Sequence, residues 1–265
     1  MGSASREALV EAQGVLNSLA TKLTAEAGEQ LLLVARSLNE NSALRSVIGD
    51  PVADDEAKIT VVNRLFSDLL SEPALTLLQT VASSRWSSPE DVVGGLEDLG
   101  IRVFAVTAPA GLSIDEEILA INVAVSSNSE LELALGSTLS ISDAKVALAN
   151  RLLSGKASSA TLSIVTHLVS MPRGRRIGEL LTGAAKIVAE QMGFALATVR
   201  AAQSLDAARS ERLQKSLSRS YGGPVKINLI IDPTIIGGLH IQIGDDVIDA
   251  SVSSRLSELR RQLVG

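Results

Sequence analysis

The stretch Asn41–Ser67, NSALRSVIGDPVADDEAKITVVNRLFS, returns 87 residues later as Asn128–Ser154, NSELELALGSTLSISDAKVALANRLLS. The two align without a gap. Ten of 27 positions are identical: Asn41, Ser42, Leu44, Gly49, Ala57, Lys58, Asn63, Arg64, Leu65 and Ser67 match Asn128, Ser129, Leu131, Gly136, Ala144, Lys145, Asn150, Arg151, Leu152 and Ser154. Most other pairs keep their character, as Ile48/Leu135 and Val61/Leu148 do. Convergent helix patterning would preserve apolar spacing, but not Asn-Arg-Leu and Ala-Lys at fixed places. The alignment predicts a duplicated helical unit; two copies do not make a solenoid.

Outward from this repeat the pattern stays helical to about residue 193. Leu9, Val15, Leu16, Leu19 and Leu23 recur at steps of three and four, as do Leu31, Leu32, Val34, Ala35 and Leu38. Asp54 and Asp55 stand where a third helix would begin, since acidic side chains oppose the positive end of the helix dipole. Pro73 reads as a first-turn proline, and Ser88-Pro89-Glu90-Asp91 as a cap followed by another start.

Near residue 194 the period changes. Phe194–Ala201 reads as a strand and Asp206–Tyr221 as an amphipathic helix, closed by Gly222-Gly223-Pro224. Val225–Ile231 and Leu239–Ile243 alternate as strands do, and Gly244-Asp245-Asp246 makes a hairpin turn into Val247-Ile248-Asp249. Ser251 to Leu263 reads as a closing helix, with Leu256, Leu259 and Leu263 on one face. The expected fold is mainly α with a small α/β C-terminal domain. Its expected divisions are residues 1–87, a first helical unit and extra copy; 88–193, the second helical unit; and 194–265, the α/β domain.

Composition narrows the function. The chain has 265 residues, 46% hydrophobic but only 2% aromatic, a makeup that favours packed helices. So few rings leave little for stacking on single-stranded nucleic acid, and a net charge of −6 lacks a basic footprint. No cysteine is present, which removes thiolate chemistry, and two histidines are too few for a three-histidine metal site. The longest stretch free of Asp, Glu, Lys and Arg is Ala157 to Pro172, 16 residues, short of a spanning helix. Neither a signal peptide nor a myristoylation pattern opens the chain, because Arg6 stands where the latter needs Ser or Thr. A cytosolic protein that reaches membranes only through partners is expected.

The tail carries a resemblance. DPTIIGG at Asp232–Gly238 (Asp232, Pro233, Gly237 and Gly238), then an alternating strand, then GDDVIDASVSSRL at Gly244–Leu256 (Gly244, Asp249 and Ser251) resembles the C-terminus of delta subunits of F-type ATP synthases. The mitochondrial relative is the oligomycin-sensitivity-conferring protein. Ser42–Leu65 and Ser129–Leu152 are both similar to the short helix, turn and Lys-bearing helix of that family's N-terminal bundle. The family normally has one such unit; two resemble the actinobacterial delta subunits, which carry an extra helical segment. Ala250 departs from the family, which usually has Gly there, so φ is negative at that position or the turn differs.

The resemblance implies a non-catalytic connector without cofactor. Its bundle binds the alpha subunits of the catalytic head, and its C-terminal domain binds the b-type peripheral stalk. Together they keep the head from turning with the rotor of the proton-translocating enzyme. One copy per complex is implied, peripheral on the cytoplasmic face of the cell membrane, with no nucleic acid and no membrane insertion. Docking to the stalk is expected at the tail motif and at Leu256, Leu259 and Leu263. A helical adaptor of another assembly is the alternative.

Individual residues add no site chemistry. His167 and His240 read as packed or surface histidines. Asp245, Asp246 and Asp249 read as a hairpin turn and a cap before a cation site. Arg173-Gly174-Arg175-Arg176 reads as a solvated helix start, and Trp86 as core packing or loop anchoring. Gly237-Gly238 lacks the spacing of a phosphate-binding loop.

Overall fold

The computed structural model describes residues 1–136, 142–232, 235, 237–244 and 246–249. The chain falls into two compact units, Met1–Val188 and Ala189–Gly265. It is mainly α, with a small α/β unit at the C-terminal end.

The helices α1 (Ser3–Ser18), α2 (Ala25–Glu40), α3 (Ser42–Ile48), α4 (Asp55–Phe66), α5 (Glu72–Ser83) and α6 (Pro89–Thr107) come first. They are followed by α7 (Ile114–Ser126), α8 (Ser129–Gly136), α9 (Ser142–Leu153), α10 (Ser159–Ser170) and α11 (Ile177–Gln191). A shift of 87 carries the bounds of α4 onto those of α9 and the bounds of α5 onto those of α10. It carries α3 onto α8 to within one residue, and α2 onto α7 to within two. The same shift takes 3–18, the span of α1, to 90–105, inside α6. Helix α6 therefore ends the first set and begins the second, and the expected boundary near residue 88 falls at its N-terminus.

The repeat is local chemistry as well as spacing. Asn41 Oδ1 caps α3 by accepting from Leu44 N at 3.0 Å, and Asn128 Oδ1 accepts from Leu131 N at 3.0 Å. Lys58 and Lys145 are both buried, with exposures of 3% and 5%. Lys58 brings its ammonium to Asp55 at 3.0 Å, so the stem packs while the charge is paired.

The first set packs around Leu16, Leu31, Leu38, Ile48, Val62, Leu78, Leu96 and Leu99. Helices α2 and α6 approach closely at two glycines: a β-carbon on Gly100 would stand 2.7 Å from Leu32 and 3.3 Å from the Gly28 carbonyl. Trp86 is buried, donates from Nε1 to the Val81 carbonyl at 2.7 Å and lies over Gly95, so it both packs and anchors the loop before α6. Helix α1 stops at Ser18 although the apolar steps run on to Leu23. Thr24 is already extended as the residue before α2, and Leu23 is buried from the connecting turn.

The second unit holds β1 (Ala195–Ala201), α12 (Ala207–Tyr221), β2 (Val225–Ile231), β3 (Leu239–Ile243) and β4 (Asp246–Asp249). The sheet order is β2-β1-β3-β4. β1 and β2 are parallel, joined by the α12 crossover, while β3 runs antiparallel to both β1 and β4. Asp206 caps α12 through Arg209 N at 2.7 Å, and Gly222 closes it in the left-handed region at φ 70°. Leu213 and Leu217 pack on Val199, Val225 and Ile241. β1 starts one residue later than the apolar run because the Phe194 N–H is taken by the Ala189 carbonyl, 2.8 Å away.

Candidate functional site

The tail motif is described in part. Asp232 N donates to the Ala201 carbonyl at 2.8 Å, tying the end of β2 to the end of β1, and Ile235 N turns back onto the Asp232 carbonyl at 3.1 Å. Gly237 and Gly238 lead into β3, and Gly238, at φ 84°, needs the freedom of glycine. Gly244, at φ 59°, makes the exposed β3–β4 hairpin. Asp249 pairs in register with His240. The Tyr221 hydroxyl donates to Asp246 at 2.6 Å, and that bond raises the phenol pKa. Asp246 thus braces the hairpin to the end of α12. Pro233, Asp245, Ala250, Ser251, Leu256, Leu259 and Leu263 lie outside the described residues. Among the described residues no group of His, Asp and Glu could hold a metal ion, and no single helix is long and apolar enough to cross a membrane.

In the helical unit an apolar cavity of about 380 Å³ opens between α7, α8, α9 and α10. Its lining includes Ala120, Ile121, Leu131, Leu135, Leu152 and Val165, with Glu117 and Lys156 among the charged groups. Small residues on α7 and a 110° bend between α7 and α8 leave the space. Glu117 is held there by Ser158, whose N–H and hydroxyl donate at 3.1 and 2.7 Å, and by the Thr161 hydroxyl. Burial alone would raise its pKa, but the hydrogen bonds of Thr161 and Ser158 outweigh it and the net shift is downward. An apolar trough of this kind receives the apolar face of a helix.

A second feature was not legible from the sequence. Glu97, on α6, is a buried carboxylate that accepts from Arg175 at 2.8 Å, Arg173 at 3.1 Å and His167 Nε2 at 3.3 Å. Arg36, on α2, lies 3.3 Å from His167 Nδ1. Burial would raise the Glu97 pKa, but the His167 hydrogen bond and the charges of Arg173 and Arg175 carry it down to about 2. Burial lowers the His167 pKa. A neutral imidazole protonated at Nε2 satisfies both neighbours, donating to Glu97 and accepting from Arg36. The expected solvated helix start at Arg173–Arg176 holds for Arg176, which is exposed beside α11, and is corrected for Arg173 and Arg175, which turn to Glu97 because the buried carboxylate needs countercharge. His167 is a packed histidine, fully buried.

These arrangements offer surfaces and a structural ion cluster. Comparisons with known proteins agree on what bears them. A profile of the family described as ATP synthase delta (OSCP) subunit matches residues 104–263. The chain is 47% identical to the ATP synthase subunit delta of Leifsonia xyli, over the full length of both chains. It is 34% identical to the subunit delta of Thermobifida fusca, again over the whole of both. A chain in a solved mitochondrial ATP synthase hexamer of Toxoplasma gondii is similar at 16% identity and a TM-score of 0.42, covering 64% of this chain and 96% of that one. That last likeness is too slight to bear on function. By the profile match and the full-length relatives, the chain belongs to the ATP synthase delta (OSCP) subunit family and is a subunit of that enzyme complex.

Proposed function

We propose that the chain is a non-catalytic stator subunit, joining the alpha subunits of the catalytic head to the b-type peripheral stalk so that the head does not turn with the rotor. The carrying observation is the span of the family match. Residues 104–263 take in α7 to α11, the apolar cavity and all but the last two residues of the α/β unit with its tail motif. The cavity between α7, α8, α9 and α10 is the place for a helix from the head. The tail, with Asp232, Pro233, Gly237, Gly238, Gly244, Asp249, Ser251, Leu256, Leu259 and Leu263, is the place for the stalk. Residues 1–103 lie outside the match, which supports reading the first helical set as the added copy. One copy sits in each complex, on the cytoplasmic face of the membrane and held there through its partners. The test is affinity purification of the full chain with partners identified by mass spectrometry. Alpha and b subunits should be recovered together, and deletion of 251–265 should remove b while alpha remains. Recovery of neither subunit contradicts the proposal.

A further inference from the structure

The two helical sets differ where the cavity lies. Shifted back by 87, its lining residues Ala120, Leu152, Leu153, Lys156 and Ala157 become Leu33, Leu65, Phe66, Leu69 and Leu70. Phe66 and Leu70 are larger than Leu153 and Ala157 and are buried where the trough would open. Three leucines are pushed outward: Leu33, Leu65 and Leu69 are 50%, 47% and 64% exposed. Gln30 links the Leu33 and Leu69 sites. It lies one turn before Leu33 on α2, and its Nε2 reaches the Leu69 carbonyl at 3.4 Å. Leu65 stands one turn before Leu69.

Three exposed carboxylates fringe this patch. Glu26 accepts from Gln30 at 3.3 Å, Asp68 precedes Leu69, and Glu72 follows Ser71, which donates to Gln30 at 2.9 and 2.8 Å. Arg64 is the cation beside them in sequence. In the second set the equivalent positions are Ser113, Gly155 and Ser159, all uncharged. These three carboxylates therefore belong to the first set alone, beside the apolar patch that also belongs to it alone, whereas the second set has a single carboxylate, Glu117, where the first has Gln30. An apolar patch with an acidic border complements an amphipathic helix that carries cations along its edges.

We propose that Leu33, Leu65 and Leu69 form a second docking surface, occupied by a Lys- or Arg-flanked amphipathic helix from another subunit of the ATP synthase. The inference rests on the stator reading and gives the added helical set its own partner contact. Apolar burial supplies the affinity, and the carboxylates orient the helix and make its capture salt-dependent.

The experiment places a photoreactive side chain in the assembled complex, as Leu69→p-benzoylphenylalanine, with Leu152→p-benzoylphenylalanine marking the cavity. Leu69 should cross-link to one segment of another subunit, with apolar residues at three- and four-residue spacing and more Lys and Arg than Asp and Glu. The triple variant Glu26→Gln, Asp68→Asn, Glu72→Gln should lower that yield by about fivefold at low salt and leave it unchanged at high salt. No cross-link from Leu69, one to a neutral or acidic segment, one to a second copy of this chain, or an unaltered yield in the triple variant overturns the proposal. Cross-linking from Leu152 but not Leu69 overturns this inference and leaves the stator reading intact. Failure of the chain to co-purify with ATP synthase subunits overturns both.

Discussion

Gln30 and Glu117 stand 87 residues apart and make the same contact. Gln30 Oε1 accepts from Ser71 N at 2.9 Å and Ser71 Oγ at 2.8 Å, while Glu117 Oε2 accepts from Ser158 N at 3.1 Å and Ser158 Oγ at 2.7 Å. Each bond pair fastens the serine before α5 or α10 to the second helix of its set. The pair lies beyond the segments whose identities reveal the repeat, so the structural duplication is wider than the sequence one. Gln30→Ala and Glu117→Ala should each cost about 1–2 kcal/mol, because the two serine donors, and for Glu117 the Thr161 hydroxyl as well, lose their acceptor. In a unit of this size that lowers the melting midpoint by about 2–8 °C, readable by circular dichroism. Two unaltered midpoints would show that these contacts are incidental.

The Glu97 cluster predicts a pH dependence with a definite sign. Glu97 is held at about 2, below its ordinary 4.5, so its contribution is complete above 4.5 and is lost as pH falls toward 2. The His167 pKa also lies below its ordinary 6.5, so folding opposes its protonation and stability starts to fall below pH 6.5. Both groups bind fewer protons folded than unfolded, and stability rises with pH through both windows. Urea unfolding at pH 7 and pH 5 should show the loss, and His167→Gln should flatten it. An equal loss in the variant would assign it to other groups.

Removing the carboxylate itself is the harsher change. Glu97→Gln leaves Arg173 and Arg175 without countercharge, at a cost of about 2–4 kcal/mol, moderated because both guanidinium groups reach solvent. A denaturation midpoint equal to wild type would show that the arginines find water as readily as they find Glu97.

Trp86, the one tryptophan, reports on its own packing. A β-carbon at Gly95 would overlap the indole ring. Gly95→Ala should displace Trp86, shift its emission to longer wavelength and cost about 1–3 kcal/mol. Unchanged emission and stability would contradict the observed contact.

The isolated chain should neither bind nor hydrolyse ATP. Its sequence has no phosphate-cradling loop. Saturable heat of ATP binding in calorimetry would overturn this.

What could be read in advance was what is encoded locally. The caps Asp54 and Ser88, the first-turn Pro73, the left-handed Gly222 and the alternation of β3 each depend on neighbours a few places away. The Glu97 cluster was not legible, because its partners lie 70 to 78 residues along the chain and nothing near Glu97 announces them. The double use of α6 was equally hidden. α1 and α6 share a place in the repeat, but α6 also packs against α2 and gathers the arginines, so its side chains answer to different neighbours. The cavity depended on volume: Leu153 in place of the buried Phe66 and Ala157 in place of the buried Leu70 leave helix periodicity untouched and open a trough.

The most direct test of the stator account is ATP-driven proton pumping by membranes carrying the ATP synthase with and without this chain. Membranes stripped of the chain should hydrolyse ATP without building a proton gradient, and adding back the purified chain should restore pumping. Pumping that persists at full strength without the chain would contradict the account.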